Sequence, residues 1–427
     1  MRMRWALGAA LALAGLVGCS RLLEVENPGQ IDADGIDRDP AALPLRLAGA
    51  IGDFECAFGS YVVVSGLIGE ELADATQTAA RFPYDQRTLT QNDALYATGS
   101  CTALGVYTPL NTARAMLDAV ARDLESTPDN VAPNRTRLLA QAYAYAGYSL
   151  VLLGEGFCTA TISMLNRDGS ITYGREMSRQ EIWQEALARF DKALAAAQAA
   201  NDATLVAMIR VGRARANLNL GRYTQAQQDA EQVPATFVFN ATTSGASASR
   251  QNRVWAQNSA TSTATSVGDP YRNLNDPRVA VQPLRDSQGR IRRSATGVEL
   301  WIQTKYPTDA TPIPLATGDE AQLIIAEVEA RQGNLARAQQ ILATFRARGN
   351  QPSATFATRE AALAEVIEQR RRELFLEGHH LGDLIRFNLP FNPPVGAPFP
   401  GGGVYGSQRC MPLPAVERRN NPNIPDS

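Results

Sequence analysis

From about Asn134 to Val233 the sequence sets small and apolar residues three and four positions apart and breaks the pattern at Gly-containing turns. That period gathers the small residues on one helix face, and short turns send the chain back antiparallel, so packed helical hairpins are predicted. Within Leu205–Val233, Ala207, Val211, Ala214 and Leu218 share one face. Leu220, Gly221, Arg222 and Tyr223 supply a turn, and Ala226, Ala230 and Val233 continue on a second helix. The same order recurs at Ala326 and Ala330, the turn Gly333-Asn334, then Ala336 and Ala338. Small side chains at these positions let two helices approach closely, which is a packing role.

These pairs resemble tetratricopeptide units. Leu153-Gly154 and Leu220-Gly221, read as turns, are spaced by about two repeats of roughly 34 residues. The fold class expected is mainly α: tetratricopeptide-like helical pairs at about 40–233 and 317–390, carrying an irregular inserted binding subdomain at about 234–316. Residues 240–268 are rich in Ser, Thr, Ala and Asn and have no helical period, so a long loop or a set of short strands is predicted. Loops of that length in compact proteins commonly bind something. Trp255, Tyr271, Trp301 and Tyr306 bracket this one.

Composition removes several function classes. The 427 residues allow two or three domains or one large helical one, and 44% hydrophobic with 20% charged residues is ordinary globular usage. Lys+Arg 41 against Asp+Glu 43 gives a net charge of -2, without the basic excess of a nucleic-acid binder. GxSxG, HExxH, P-loop and dinucleotide Gly-rich patterns are missing, so no enzyme activity and no cofactor is expected. Glu70 and Glu71 are neighbours whose carboxylates do not face each other, and a helix end or solvated turn is expected there.

Arg2 and Arg4 precede a short apolar run, Trp5 to Val17, with small residues at its end, the pattern of a signal peptide over residues 1–18. Leu16-Val17-Gly18-Cys19 resembles a lipobox, which implies cleavage before Cys19 and its acylation, hence a membrane lipid anchor. Ser20 in place of Asp argues, by the same likeness, against retention in the inner membrane. Cys56, Cys101, Cys158 and Cys410 then remain in an oxidising compartment, where an even number favours pairing and three connectivities exist. Cys56 and Cys101 both lie in the N-terminal part, whereas Cys158 follows a long helix and Cys410 precedes the terminal Pro-rich segment. We expect Cys56 to pair with Cys101 and Cys158 with Cys410. No metal site is expected, because these cysteines are widely spaced and far in sequence from His379 and His380.

The C-terminal third holds Asn275-Asp276-Pro277-Arg278, Trp301 to Tyr306, a helix over Asp319–Gln332, the run Arg370 to Phe387, and Met411-Pro412-Leu413-Pro414 with Glu417. With Leu23–Pro28 after the predicted lipidated cysteine, this order resembles the SusD/RagB family of outer-membrane nutrient-binding lipoproteins. The most specific part is Arg372, Glu373, Leu374, Glu377, Gly378, His379, Asp383, Leu384 and Arg386. His380 and Leu381 depart from the family's usual Arg and aromatic, and the tail lacks the usual Gln-Asn ending. The resemblance implies a cell-surface protein that captures an oligosaccharide or similar oligomer and passes it to a SusC-like TonB-dependent transporter. Two other readings compete with it: a tetratricopeptide scaffold lipoprotein for envelope assembly, and a lipid-anchored glycosidase.

The motif also has a physical reading of its own. On a helix, Arg370, Glu373 and Glu377 share a face, Gly378 ends it, and Asp383 can cap the next helix. That predicts a salt-bridged corner in preference to an acid/base centre of Glu373, Glu377, His379 and Asp383. For ligand contact the candidates are the loop aromatics Trp255, Trp301 and Tyr84, with Asp85 accepting hydrogen bonds from hydroxyls. Trp183, on an Ala-rich helix, is expected to serve folding.

Overall fold

The structure, a computed structural model, describes residues 39–93, 96–97 and 99–424. The predicted signal peptide, Cys19 and Leu23–Pro28 lie outside the described residues.

Helix α1 (Leu43–Ile68) has no polar face over its C-terminal half, where Phe54 to Ile68 are all buried. It is long and apolar enough to cross a bilayer, yet it runs through the protein interior against α3 (Tyr107–Ser126) and α4 (Arg135–Gly156). A short helix α2 (Phe82–Asp85) lies between α1 and α3 in the chain. From α4 the chain continues as α5 (Arg179–Ala199), α6 (Ala203–Asn219) and α7 (Tyr223–Ala230), each packed on its predecessor. Two small antiparallel ribbons lie between α4 and α5, β2 (Thr159–Thr161) with β5 (Glu176–Ser178) and β3 (Met164–Leu165) with β4 (Ile171–Thr172), and Ser178 and Glu181 then form a reciprocal cap that starts α5.

Close approach is built by glycine. A Cβ at Gly147 of α4 would sit 2.8 Å from the Phe190 ring, and one at Gly212 of α6 would sit 2.5 Å from it. The α5 ring therefore occupies space that any other residue on its two neighbours would fill. Leu220-Gly221 is a turn, with Gly221 at φ +71°, but Leu153-Gly154 is not. Gly154 lies inside α4, where its missing side chain receives the Trp183 indole.

A second helical block follows: α9 (Gly318–Gln332), α10 (Leu335–Arg348), α11 (Arg359–Glu373) and α12 (His380–Arg386). Thr317 Oγ1 accepts from Glu320 N at 3.0 Å to begin α9, and Gly333 at φ +86° ends it. Leu323, Leu342, Phe345 and Val366 form a small core of this block.

Between the blocks, the insertion folds as short two-stranded antiparallel ribbons and short helical turns, among them α8 (Arg253–Gln257). Strand β6 (Val238–Ala241) pairs with β10 (Ile313–Thr317), and β8 (Val281–Pro283) with β9 (Trp301–Gln303). Strand β7 (Thr265–Val267) pairs with β1 (Leu72–Asp74), just beyond α1, in the register Leu72 to Val267. Hairpins this small are marginal alone, so the insertion takes its order from the helices it covers. Two disulfides close the fold, Cys56–Cys101 and Cys158–Cys410. The second is flanked by a bridge between Phe157 and Met411.

Candidate functional site

Two of the three aromatic candidates for stacking are core residues. Tyr84 is 1% exposed, and its hydroxyl donates to Leu104 O at 3.2 Å. Trp301 is 6% exposed in a strand covered on both faces, with the Arg272 guanidinium 5.7 Å from its ring centroid. The physical reason is common to both: irregular segments of this size stay ordered by driving large aromatic pegs into the helical core. Trp255, on α8, is only partly buried. Asp85 is buried too, but it lines a cleft.

That cleft has a volume of about 400 Å³ and is walled by the end of α1, the β1–β7 ribbon and a Pro- and Gly-rich hairpin, Pro393–Gly406. Five separate chain segments deliver its polar groups, among them Asp74, Asp85, Arg87, Asp269, Arg272 and Tyr405. Asp85 Oδ2 accepts from Asp74 N at 2.7 Å. Burial, with the nearby Asp74 charge adding, pushes the Asp85 carboxyl up to about 8. Asp74 is saturated: it accepts from Thr76 N, Thr76 Oγ1, Gln77 N and Arg81 Nε. Arg81 also donates to Gln257 Oε1 at 3.1 Å, which ties α8, and with it Trp255, to the rim. Arg272 pairs with Asp269 and donates to Val267 O at 2.8 Å, while Arg293 pairs with Glu299. Each cleft arginine therefore already has its partners. A larger groove of about 590 Å³ between the start of α1 and α3 has an apolar floor of Leu43, Met116 and Leu165, and none of the predicted ligand contacts reaches it.

Sequence reasoning missed Asp74, Arg87, Arg272 and Tyr405. Asp74 carried a usable signal, since Asp-x-Thr-Gln closes a side-chain-to-backbone turn. The others are assembled by tertiary contact alone.

The Arg370–Phe387 motif forms a buried ionic corner behind the cleft. Arg370 Nε lies 2.7 Å from Asp383 Oδ2, and Arg386 bridges Asp383 and Glu327. Burial opposes ionisation of Asp383, yet the charges of Arg370 and Arg386 prevail and hold it down at about 2. Asp383 is thus an ion-pair hub and does not cap α12. Arg215 pairs with Glu155 at 2.5 Å and donates to Gly378 O. Glu71 is not solvated: it is fully buried, accepts from Leu376 N at 2.7 Å, and burial pushes it up to about 7. The adjacent histidines diverge, His379 toward Arg215 and Glu320, His380 toward Glu70. Burial and the Arg215 and Arg370 charges keep His379 well below the usual histidine range. Among the described residues, no cluster of His, Cys, Asp and Glu could hold a metal ion.

Residues 320–422, which contain the ionic corner, match the family model of the SusD family. A crystal structure of a SusD superfamily protein from Bacteroides vulgatus aligns with TM-score 0.70 at 15% identity, covering 91% of this chain and 98% of that one. A putative sugar binding protein from the same species gives TM-score 0.67 at 16% identity, over 90% and 97%. Surface glycan-binding protein A from Bacteroides uniformis gives 0.64 at 11%, over 90% and 99%. No curated protein sequence matches. The chain is thus similar to the SusD family in sequence over residues 320–422 and shares the fold of solved SusD superfamily proteins over about nine-tenths of its length.

Proposed function

We propose that this protein is a cell-surface nutrient-binding lipoprotein that captures an oligosaccharide in the cleft between the β1–β7 ribbon and the Pro393–Gly406 hairpin. The observation that carries the reading is a cleft lined by fixed hydrogen-bonding groups that are already paired with one another. Such a surface recognises hydroxyls by geometry, and Asp85, protonated at neutral pH, both donates and accepts there. Trp255, partly buried on the helix that Arg81 ties to the rim, is the remaining face for a sugar ring. Two of the similar solved structures are named for sugar or glycan binding.

Binding without chemistry is favoured over glycoside hydrolysis. Hydrolysis by a carboxyl pair needs both groups free to act on the sugar and on water, and Asp74, which is bonded through its backbone N–H to Asp85 in the cleft, is not free. Asp74 has its acceptor positions filled by its own loop and Arg81. In this reading Cys19 carries the lipid anchor, and the bound oligomer passes to a TonB-dependent outer-membrane transporter. Calorimetric titration of the soluble chain from Ser20 against a glycan panel tests the capture. Release of shortened products from a bound glycan would replace the reading with an enzyme, and absence of binding across the panel would remove the glycan.

A further inference from the structure

The hairpin at residues 393–406 holds itself together with few bonds. Gly396 N donates to Tyr405 O and Tyr405 N to Ala397 O, both at 2.9 Å, and the tip closes through Phe399 and Gly403. It leaves Val395 and Val404 largely in solvent. A lone two-stranded hairpin is marginal in water, so its position must come from its attachments.

Beside a backbone bond from Gly406 N to Gln86 O at 2.7 Å, the attachments at both ends meet on one side chain. Arg87 Nη2 donates to Pro393 O at 2.6 Å and its Nε to Gly406 O at 3.3 Å, so one guanidinium grips both ends of the hairpin. Its Cζ lies 5.0 Å from the Phe391 ring centroid and 4.8 Å from that of Tyr405, a cation held between two aromatic rings. The neighbouring Gln86 adds contacts to Gly402 and Val404 at the outer end. Arg87 itself is buried, and both its planar fork and its stacking are in use. The hairpin's Pro393, Pro400 and Tyr405 line the cleft, so whatever fixes the hairpin fixes that wall.

We infer that Arg87 is the positioning residue that clamps the 393–406 hairpin as the movable wall of the cleft, and that a ligand enters when this wall lifts. The inference rests on the reading of the cleft as a ligand site. A hairpin with few hydrogen bonds of its own, held from outside mainly by the Arg87 and Gln86 side chains, has a physical basis for low local stability, which suits a wall that must move while the helical scaffold stays closed.

Hydrogen exchange on the mature soluble chain, without ligand, tests the clamp alone. In Arg87→Gln the amides of Gly396, Phe399 and Tyr405 should exchange about tenfold faster or more, while those of α4 and the melting temperature stay at wild-type values. Arg87→Lys keeps the charge but not the fork, and should fall between the two. Should Arg87→Gln melt early, Arg87→Lys and Tyr405→Leu carry the same comparison at native melting temperature. Unchanged hairpin exchange in these variants overturns the clamp. With a glycan from the panel bound, the wild-type hairpin amides should slow. A glycan that binds without slowing them overturns the hairpin as the wall. A wild type that binds none of the panel refutes the binding reading, and the unliganded comparison still decides the clamp.

Discussion

Lys305 Nζ lies 2.6 Å from Glu377 Oε1 and also donates to Phe375 O, so one of the chain's two lysines pins the insertion to the ionic corner. Burial raises the Glu377 carboxyl and the Lys305 ammonium lowers it again. Removing the cation leaves a buried carboxylate without its partner, which typically costs about 3 to 5 kcal/mol. Lys305→Met should therefore lower the urea midpoint strongly, and Lys305→Met with Glu377→Gln should recover part of the loss. If the double variant is no better than the single one, the pair is not the source of the cost.

Stability should decline from mildly acidic to mildly basic pH. Burial pushes Glu71 and Glu320 up to about 7 against 4.5 ordinarily, and Asp85 up to about 8 against 3.8, so between these values the native state holds protons that the unfolded chain has released. Stability then falls as pH rises through that window. Asp383 acts in the opposite sense: at about 2 against 3.8, its contribution is complete above 3.8 and disappears as pH falls toward 2. The unfolding midpoint is expected to be higher at pH 5 than at pH 8. Glu71→Gln keeps an acceptor for Leu376 N and should flatten this slope by on the order of 1 to 3 kcal/mol. A slope as steep as wild type would show that Glu71 does not contribute to it and leave it to Asp85 and Glu320.

The aromatics should separate by role. Tyr84→Ala and Trp301→Ala empty fully packed sites and should each cost about 3 to 5 kcal/mol of stability. Trp255→Ala should leave the melting temperature near wild type and weaken glycan binding by about 1 kcal/mol, the scale of an aromatic face. Calorimetry and thermal melts on the three variants read both effects. Normal binding by Trp255→Ala would move the stacking surface elsewhere.

The two disulfides should differ in weight. Cys158–Cys410 closes a separation of 252 residues and Cys56–Cys101 one of 45. Loop entropy assigns the longer closure the larger effect, with both in the range of about 2 to 5 kcal/mol. Paired Cys→Ala variants, compared by urea unfolding, should rank in that order.

Anchoring is tested by Cys19→Ala, which should yield an unprocessed or soluble protein, because stable membrane attachment needs more than one acyl chain. Detergent partitioning distinguishes the forms. A variant that still fractionates with the outer membrane after signal removal would put the anchor elsewhere.

The helical architecture was legible because period and turn chemistry are local: α6, Gly221 and α7 follow directly from residues 205–233. Gly154 misled because a glycine that opens a turn and one that admits Trp183 look alike in one dimension. The cleft was poorly legible for a different reason. Arg87 meets Pro393 and Gly406 across 306 and 319 residues, and no short pattern encodes such a meeting. Exposure of loop aromatics failed likewise, since Tyr84 and Trp301 occupy loop-like sequence while their rings belong to the core.

The Cys158–Cys410 link has a consequence for how the chain is made. Counted from the N-terminus, Cys56 and Cys101 emerge in succession and can join at once, whereas Cys158 must wait for a partner 252 residues behind it. During that interval it is a lone nucleophile facing the bond already formed, and exchange with that bond would scramble the pairing. The antiparallel packing of α4 against α5, which completes soon after Cys158 appears, offers the earliest shelter for that thiol. Because the four cysteines pair in sequence order, the need for a thiol isomerase during maturation in an oxidising compartment should be confined to reversing exchange within that interval, before Cys410 emerges.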